Sequence, residues 1–164
     1  MSTRRIAYVA VMAALYVVIG FYITPQLPNP MLRGQGVIAI NMVVVVVAGM
    51  LFGPYAGALV GLIGTSLNAV VSPAGGRPYE LAAIIPHTIM GITAGVLSRA
   101  NSWAGAFAII VGHVLNVVAF LILRLALLPI PVVAGGVALE TLIDLVLIWL
   151  AVAVLRPVVR SAPA

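Results

Sequence analysis

Eight polar residues of this chain sit where an apolar environment tolerates them least. Asn41, Asn68, Glu80, His87, Asn116, Arg124, Glu140 and Asp144 fall inside or at the ends of long hydrophobic runs. Their carboxylates, imidazole and amides suit hydrogen bonding and ion pairing with a small polar ligand. Helical spacing gathers them further. Thr65, Asn68 and Ser72 share one face, and Glu80 and His87 share another. His113, Asn116 and Arg124 lie roughly along a third, and Glu140 and Asp144 are one turn apart. An acidic residue near the centre of a membrane helix costs about 2.5–3.5 kcal/mol, so it persists only with a partner or a function. Internal ion pairs with Arg124 or the histidines are the alternative to ligand binding.

Other chemistries are less well supplied. His87 and His113 could ligate a metal, and two histidines and two carboxylates could converge on one ion. No third nitrogen or sulfur ligand stands at a characteristic spacing, and HExxH and Cys/His clusters are absent. The expectation is therefore no metal site and no cofactor. No GxSxG or strained elbow marks a nucleophile, so the chain does not read as an enzyme. A small intramembrane enzyme built on Glu140, Asp144 and the histidines stays as an alternative.

The elements that must position these residues follow from composition. Apolar residues make up 64% of the 164 and charged residues only 7%, against about 25% in a soluble domain. A spanning helix needs roughly 20 mostly apolar residues. Six runs qualify, at about 5–23, 36–52, 54–72, 80–98, 104–126 and 132–156. They predict an all-α membrane protein, one integral domain over 1–164 with six transmembrane helices. The first run is too long for a signal peptide and no small-residue cleavage motif follows it. The arginines are scattered at run ends, so no basic stripe suggests nucleic acid. With zero cysteines, disulfides and thiolate sites are excluded.

Arginine placement orients the runs. With the N-terminus inside, Arg4, Arg5, Arg99, Arg156 and Arg160 are cytoplasmic, and Arg33, Arg77 and Arg124 are external. Both termini are then cytoplasmic, and the polar residues fall in the outer half or near the midplane. The inner half is almost bare of polar side chains. That distribution predicts an outward pocket sealed below rather than a continuous pore. A self-sufficient transporter or channel, the other alternative, would need polar groups through both halves.

The connections carry their own signals. Residues 24–36 hold Pro25, Pro28 and Pro30, which exclude a helix, and the length suggests a lid bearing Arg33. Gly49, Gly53, Gly57 and Gly61 recur every four residues and offer a flat face for close helix contact, with Pro54 near the start of the third run. Residues 72–79 are turn chemistry, and Glu80 follows in a first helical turn, where a carboxylate also suits the helix dipole. Pro86 precedes His87 and predicts a kink. Trp103 fits an interface anchor. Phe21, Tyr22, Tyr79 and Phe120 are few for a stacking cage around a flat ligand. In the first run Ala10 and Ala14 form a small-xxx-small pair that lets another helix approach closely.

With these motifs the chain resembles the S component, the membrane substrate-binding subunit of energy-coupling factor (ECF) vitamin transporters. The stretch TRRIAYVAVMAALYVVIG is similar to the alanine-rich first helix of that family, and AGMLFGPYAGALVGLIGTSLNAV, residues 48–70, to its LxGPxxGxxxG region. The resemblance covers nearly the whole chain. It implies high-affinity capture of a small water-soluble vitamin or related micronutrient at the outer face of a prokaryotic plasma membrane. It implies partners: a coupling subunit docked at Ala10 and Ala14, and two ATPase subunits that drive the S component to topple in the lipid. By position it implies substrate contacts from Arg33, Asn68, Arg77, Glu80, His87, His113, Asn116, Arg124, Glu140 and Asp144. The opposed charges among them suit a polar or zwitterionic ligand.

Overall fold

A computed structural model of the chain describes residues 3–32, 36–125 and 128–161. Helix α1 (Thr3–Val18) continues through a π-helical turn, Ile19–Ile23, and a 3-10 turn, Thr24–Gln26. Helices α2 (Met42–Phe52), α3 (Pro54–Val71), α4 (Arg77–Ala100), α5 (Ala108–Ile122) and α6 (Ile130–Ser161) follow, with a 3-10 turn, Ala104–Phe107, leading into α5. Five helical segments are long and apolar enough to cross a membrane: Thr3–Gln26, Pro54–Val71, Arg77–Ala100, Ala104–Ile122 and Ile130–Val159. Their many exposed Ile, Leu and Val side chains suit lipid contact.

The second predicted run is the exception. Residues 36–52 read as one spanning helix, but α2 begins only at Met42 and has 11 residues. At 1.5 Å per residue it is about 16 Å long. Every residue from Asn41 to Met50 is buried. An all-round apolar helix belongs in a core. Burial overrides the low helix propensity of the β-branched stretch Val43–Val47. Residues 36–40 instead pair with the first loop. Ile38 N–H donates to the Leu27 carbonyl at 2.8 Å, Asn29 N–H donates to the Gly36 carbonyl at 2.9 Å, and Pro28 bridges Val37.

Close approach of α3 and α4 holds the centre. A methyl group built on Gly91 would overlap the Gly57 carbonyl, so only glycine lets these backbones meet. The α2–α3 junction turns at Gly53, whose φ of 95° lies in the left-handed region. Helix α4 runs unbroken through Pro86.

The start of α1, the α2–α3 junction, the end of α4 and the end of α6 gather at one end of the bundle. There the Tyr8 ring stacks on Phe52 at 4.6 Å. Arg156 donates to the Ser102 carbonyl at 3.1 Å and lies over the Trp103 ring. Two surface clefts open here, sharing Gly53 and Arg99. The described parts of the connecting segments, 27–32, 36–41, 72–76, 123–125 and 128–129, lie at the opposite end.

Candidate functional site

A layer of polar side chains crosses the bundle between its loop end and its middle. His87, one turn past the midpoint of the first half of α4, is its hub. Its Nδ1 lies 2.9 Å from the Tyr16 hydroxyl of α1 and 2.9 Å from the Thr65 hydroxyl of α3. Asn116 of α5 donates an amide N–H to its Nε2 at 3.0 Å. The neutral ring then carries its proton on Nδ1, facing the two hydroxyls. Four helices are thus tied through one imidazole, and all four side chains are buried.

A second group lies where α5 meets α6. His113 Nε2 is 3.2 Å from Asp144 Oδ2, the one ion pair among the described residues. Glu140 stands one helical turn before Asp144, on the same face. Its Oε1 accepts the backbone N–H of Ala39 at 2.8 Å. One ligand atom each of His113, Glu140 and Asp144 lies within 4.8 Å of the others, and all three residues are buried.

The first loop closes over this group. Asn29 is fully buried, donates from Nδ2 to the Gly136 carbonyl at 3.0 Å and accepts the Met31 N–H at 3.0 Å. Leu32 packs where a side chain at Gly136 would stand. The loop is therefore pinned on α6 one turn before Glu140.

Seven buried polar atoms in this half have no hydrogen-bond partner among the described residues. They are Thr24 Oγ1, Asn41 Oδ1, both amide atoms of Asn68, Glu80 Oε2, Asn116 Oδ1 and Asp144 Oδ1. Leaving a buried polar group unpaired costs about 1–3 kcal/mol each. Such a concentration is characteristic of a site that binds something polar. The π-helical turn Ile19–Ile23 brings Gly20 against Asn41 and Asn68, and such turns recur at functional sites.

The residues expected to form a site divide three ways. Asn68, His87, His113, Asn116, Glu140 and Asp144 are buried in the polar layer, with Glu80 half-buried in the first turn of α4. Arg77 and Arg124 are exposed at the loop end. The Arg77 guanidinium donates to the Val70 and Ser72 carbonyls at 3.4 Å, capping α3. Arg124 does not extend the face of His113 and Asn116. The fifth run, read as 104–126, is helical only to Ile122, and Arg124 turns away at φ 55°. It therefore forms no ion pair with Glu140 or Asp144; His113 takes that place. Arg33 lies outside the described residues. Ala10 and Ala14 are both exposed on α1, while Val9, Ala13 and Tyr16 pack inward.

Sequence reasoning did not assign Tyr16, Asn29 or the Ala39 backbone to the site. Tyr16 is the lone polar-tipped residue of α1's inward face, and a tyrosine among alanines was the available signal. Asn29 stands between two prolines, where a buried asparagine has no periodicity to betray it. Aromatic side chains remain sparse here. Phe21 and Tyr22 stack edge to face at 4.8 Å on the exposed side of the π-helical turn, and Tyr79 and Phe120 pair at 5.3 Å near the loop end.

A family model described as ECF-type riboflavin transporter, S component, matches residues 1–159. No curated protein and no solved structure matches the chain.

Proposed function

From its place in the ECF-type riboflavin transporter S component family, to which the chain belongs, we propose that it captures a small water-soluble vitamin or related micronutrient and delivers it within an ATP-driven complex. The family is one of transport components. The observation that carries the reading is the set of buried, unpartnered polar atoms confined to one half of an apolar bundle and covered by the first loop. A ligand bearing donors and acceptors would satisfy them. The proposed contacts are Asn68, Glu80, His87, His113, Asn116, Glu140 and Asp144, with Arg77, Arg124 and Arg33 at the rim or in the loop.

In this reading the chain crosses the plasma membrane six times, with both termini and the arginine-bearing end in the cytoplasm. Residues 36–52 make the second crossing, irregular through Asn41 and helical from Met42. Non-helical backbone is tolerated at membrane depth where protein buries it, and the Glu140 carboxylate receives one of its N–H groups. Ala10 and Ala14 leave a small-residue strip on α1 for a coupling subunit. Two ATPase subunits then supply the energy, and the S component topples to release its ligand inward. The apolar lower half favours this over an independent channel, because it offers a polar solute no path. The lipid-facing surface carries few charges, which lowers the cost of rotating the body.

The deciding experiment is mass spectrometry of small molecules that co-purify with the chain in detergent, followed by titration with riboflavin as the first probe. One bound vitamin per chain, released on denaturation, supports the reading. A preparation that carries no ligand and binds none of a panel of water-soluble vitamins would sink it.

A further inference from the structure

We propose that His113, Glu140 and Asp144 form a binding site for a divalent transition-metal cation. The inference goes beyond the capture of a vitamin and does not rest on it. The three residues come from facing helices, α5 and α6, and are 4%, 7% and 0% exposed. Their ligand atoms converge within 4.8 Å. The His113 Nε2 to Asp144 Oδ2 separation is 3.2 Å. Metal–nitrogen and metal–oxygen bonds of about 2.0–2.2 Å place neighbouring tetrahedral ligands about 3.3–3.5 Å apart. The pair, hydrogen-bonded in the absence of an ion, lies close to that spacing and would open by a few tenths of an ångström to admit one, with Glu140 the third ligand.

A second observation points the same way. Asp144 Oδ1 is buried and has no hydrogen-bond partner. The other oxygen of that carboxylate faces His113, so its head group lies inside the cluster. No arginine or lysine pairs with the group among the described residues, and the His113 imidazole is the one basic side chain in it. Two carboxylates with a neutral imidazole and a divalent ion sum to zero charge, the form that a low-dielectric interior accepts. One nitrogen and two oxygen donors suit manganese, iron, cobalt or zinc, and the imidazole disfavours magnesium and calcium. Three protein ligands leave a position open, as in sites that bind a further ligand on the metal.

The test uses the purified full chain, stripped with a chelator and reloaded with Zn2+, Mn2+ or Co2+ in turn. Metal is read by elemental analysis after gel filtration. The expected result is one equivalent per chain for at least one ion, retained at micromolar free metal. Loss of outer partners of a metal site costs about 10–100-fold in affinity. Asp144→Asn, Glu140→Gln and His113→Gln remove ligands themselves and should each weaken binding by at least that factor. Co2+ bound to the unmutated chain should show ligand-field bands in the visible range, a readout that needs no variant to fold. Metal content no higher than a detergent blank, a Co2+ spectrum identical to the aqua ion, or equal loading of all three variants and the unmutated chain would overturn the proposal. Because the assay contains no vitamin, its failure leaves the capture reading standing, and failure of vitamin binding leaves this one standing.

Discussion

In the half of the bundle that carries Arg99 and Arg156, the fully buried side chains include Ala48, Ala94, Ala106, Ile109, Ile148 and Val152. In the half that carries the loops, comparable burial holds Asn41, Thr65, Asn68, His87 and Asp144. The same helices supply both halves. On α6 a single turn separates Asp144 from Ile148, both at 0% exposure. The apolar half therefore stores the stability of the fold, through packing of groups that need no partner. The polar half spends some of that stability on groups held ready for another molecule. A bundle made only of the second material would not stay closed, and one made only of the first would bind nothing polar.

The sharpest way to break this comparison is to move polarity across the turn. Ile148→Asp places a third carboxylate on α6, one turn beyond Asp144 and with no histidine opposite. The expected cost exceeds about 3 kcal/mol, from the charge alone, with the loss of buried isoleucine added. Size-exclusion chromatography in detergent should show aggregated or absent protein. A monodisperse variant with the original melting temperature would mean that the lower half is not the stabilising one.

His87→Ala comes next. It strips Tyr16, Thr65 and Asn116 of a shared partner, and each orphaned group carries a penalty of about 1–3 kcal/mol unless water enters. A net loss of about 2–4 kcal/mol in thermal or denaturant unfolding is expected. A smaller loss would show the imidazole to be a binding group more than a tie between helices.

Asn68→Leu sharpens the contrast from the other side. Neither amide atom meets hydrogen-bond geometry with a described residue, and the amide's one polar interaction is with the Glu80 carboxylate, so replacement should change stability by no more than about 1 kcal/mol. Ligand affinity should fall by about tenfold, equivalent to one lost hydrogen bond of about 1.4 kcal/mol. Isothermal titration beside a melting curve separates the two effects. A large drop in melting temperature would place Asn68 among the residues that hold the fold.

The smallest effect on the isolated chain belongs to Ala10→Leu. The residue is exposed on α1, so stability and ligand affinity should change by less than about 0.5 kcal/mol. Co-purification with the coupling subunit should weaken. Parallel loss of stability and assembly would show that the alanine strip packs this bundle instead.

The helices were largely legible in the sequence because apolar length and proline or glycine punctuation act locally. Gly53 and Pro54 and the turn residues 72–79 mark boundaries that the structure keeps within a few residues. Residues 36–41 were misread as helix because Ile, Ala and Val carry the same apolarity in an irregular segment. Only the pairing with 27–29 and the Glu140 contact, a hundred residues away in sequence, distinguish the two. The polar layer was legible as residue types at a shared depth. Its pairings were not. Nothing in the spacing of His113 and Asp144 tells that these two meet while Arg124 turns outward, because the rotation of α5 against α6 sets that contact.

Glu140 belongs to two structures at once. Its carboxylate receives the Ala39 N–H from the end of the first loop, and it stands in the cluster with His113 and Asp144. Were the loop to open and the cluster to take an occupant, the two equilibria would share one participant and be linked. If an occupant binds the closed form more tightly by some factor, closure strengthens that occupant's binding and the occupant strengthens closure by the same factor. A factor of ten corresponds to about 1.4 kcal/mol of coupling, comparable to the one or two hydrogen bonds that hold the loop down.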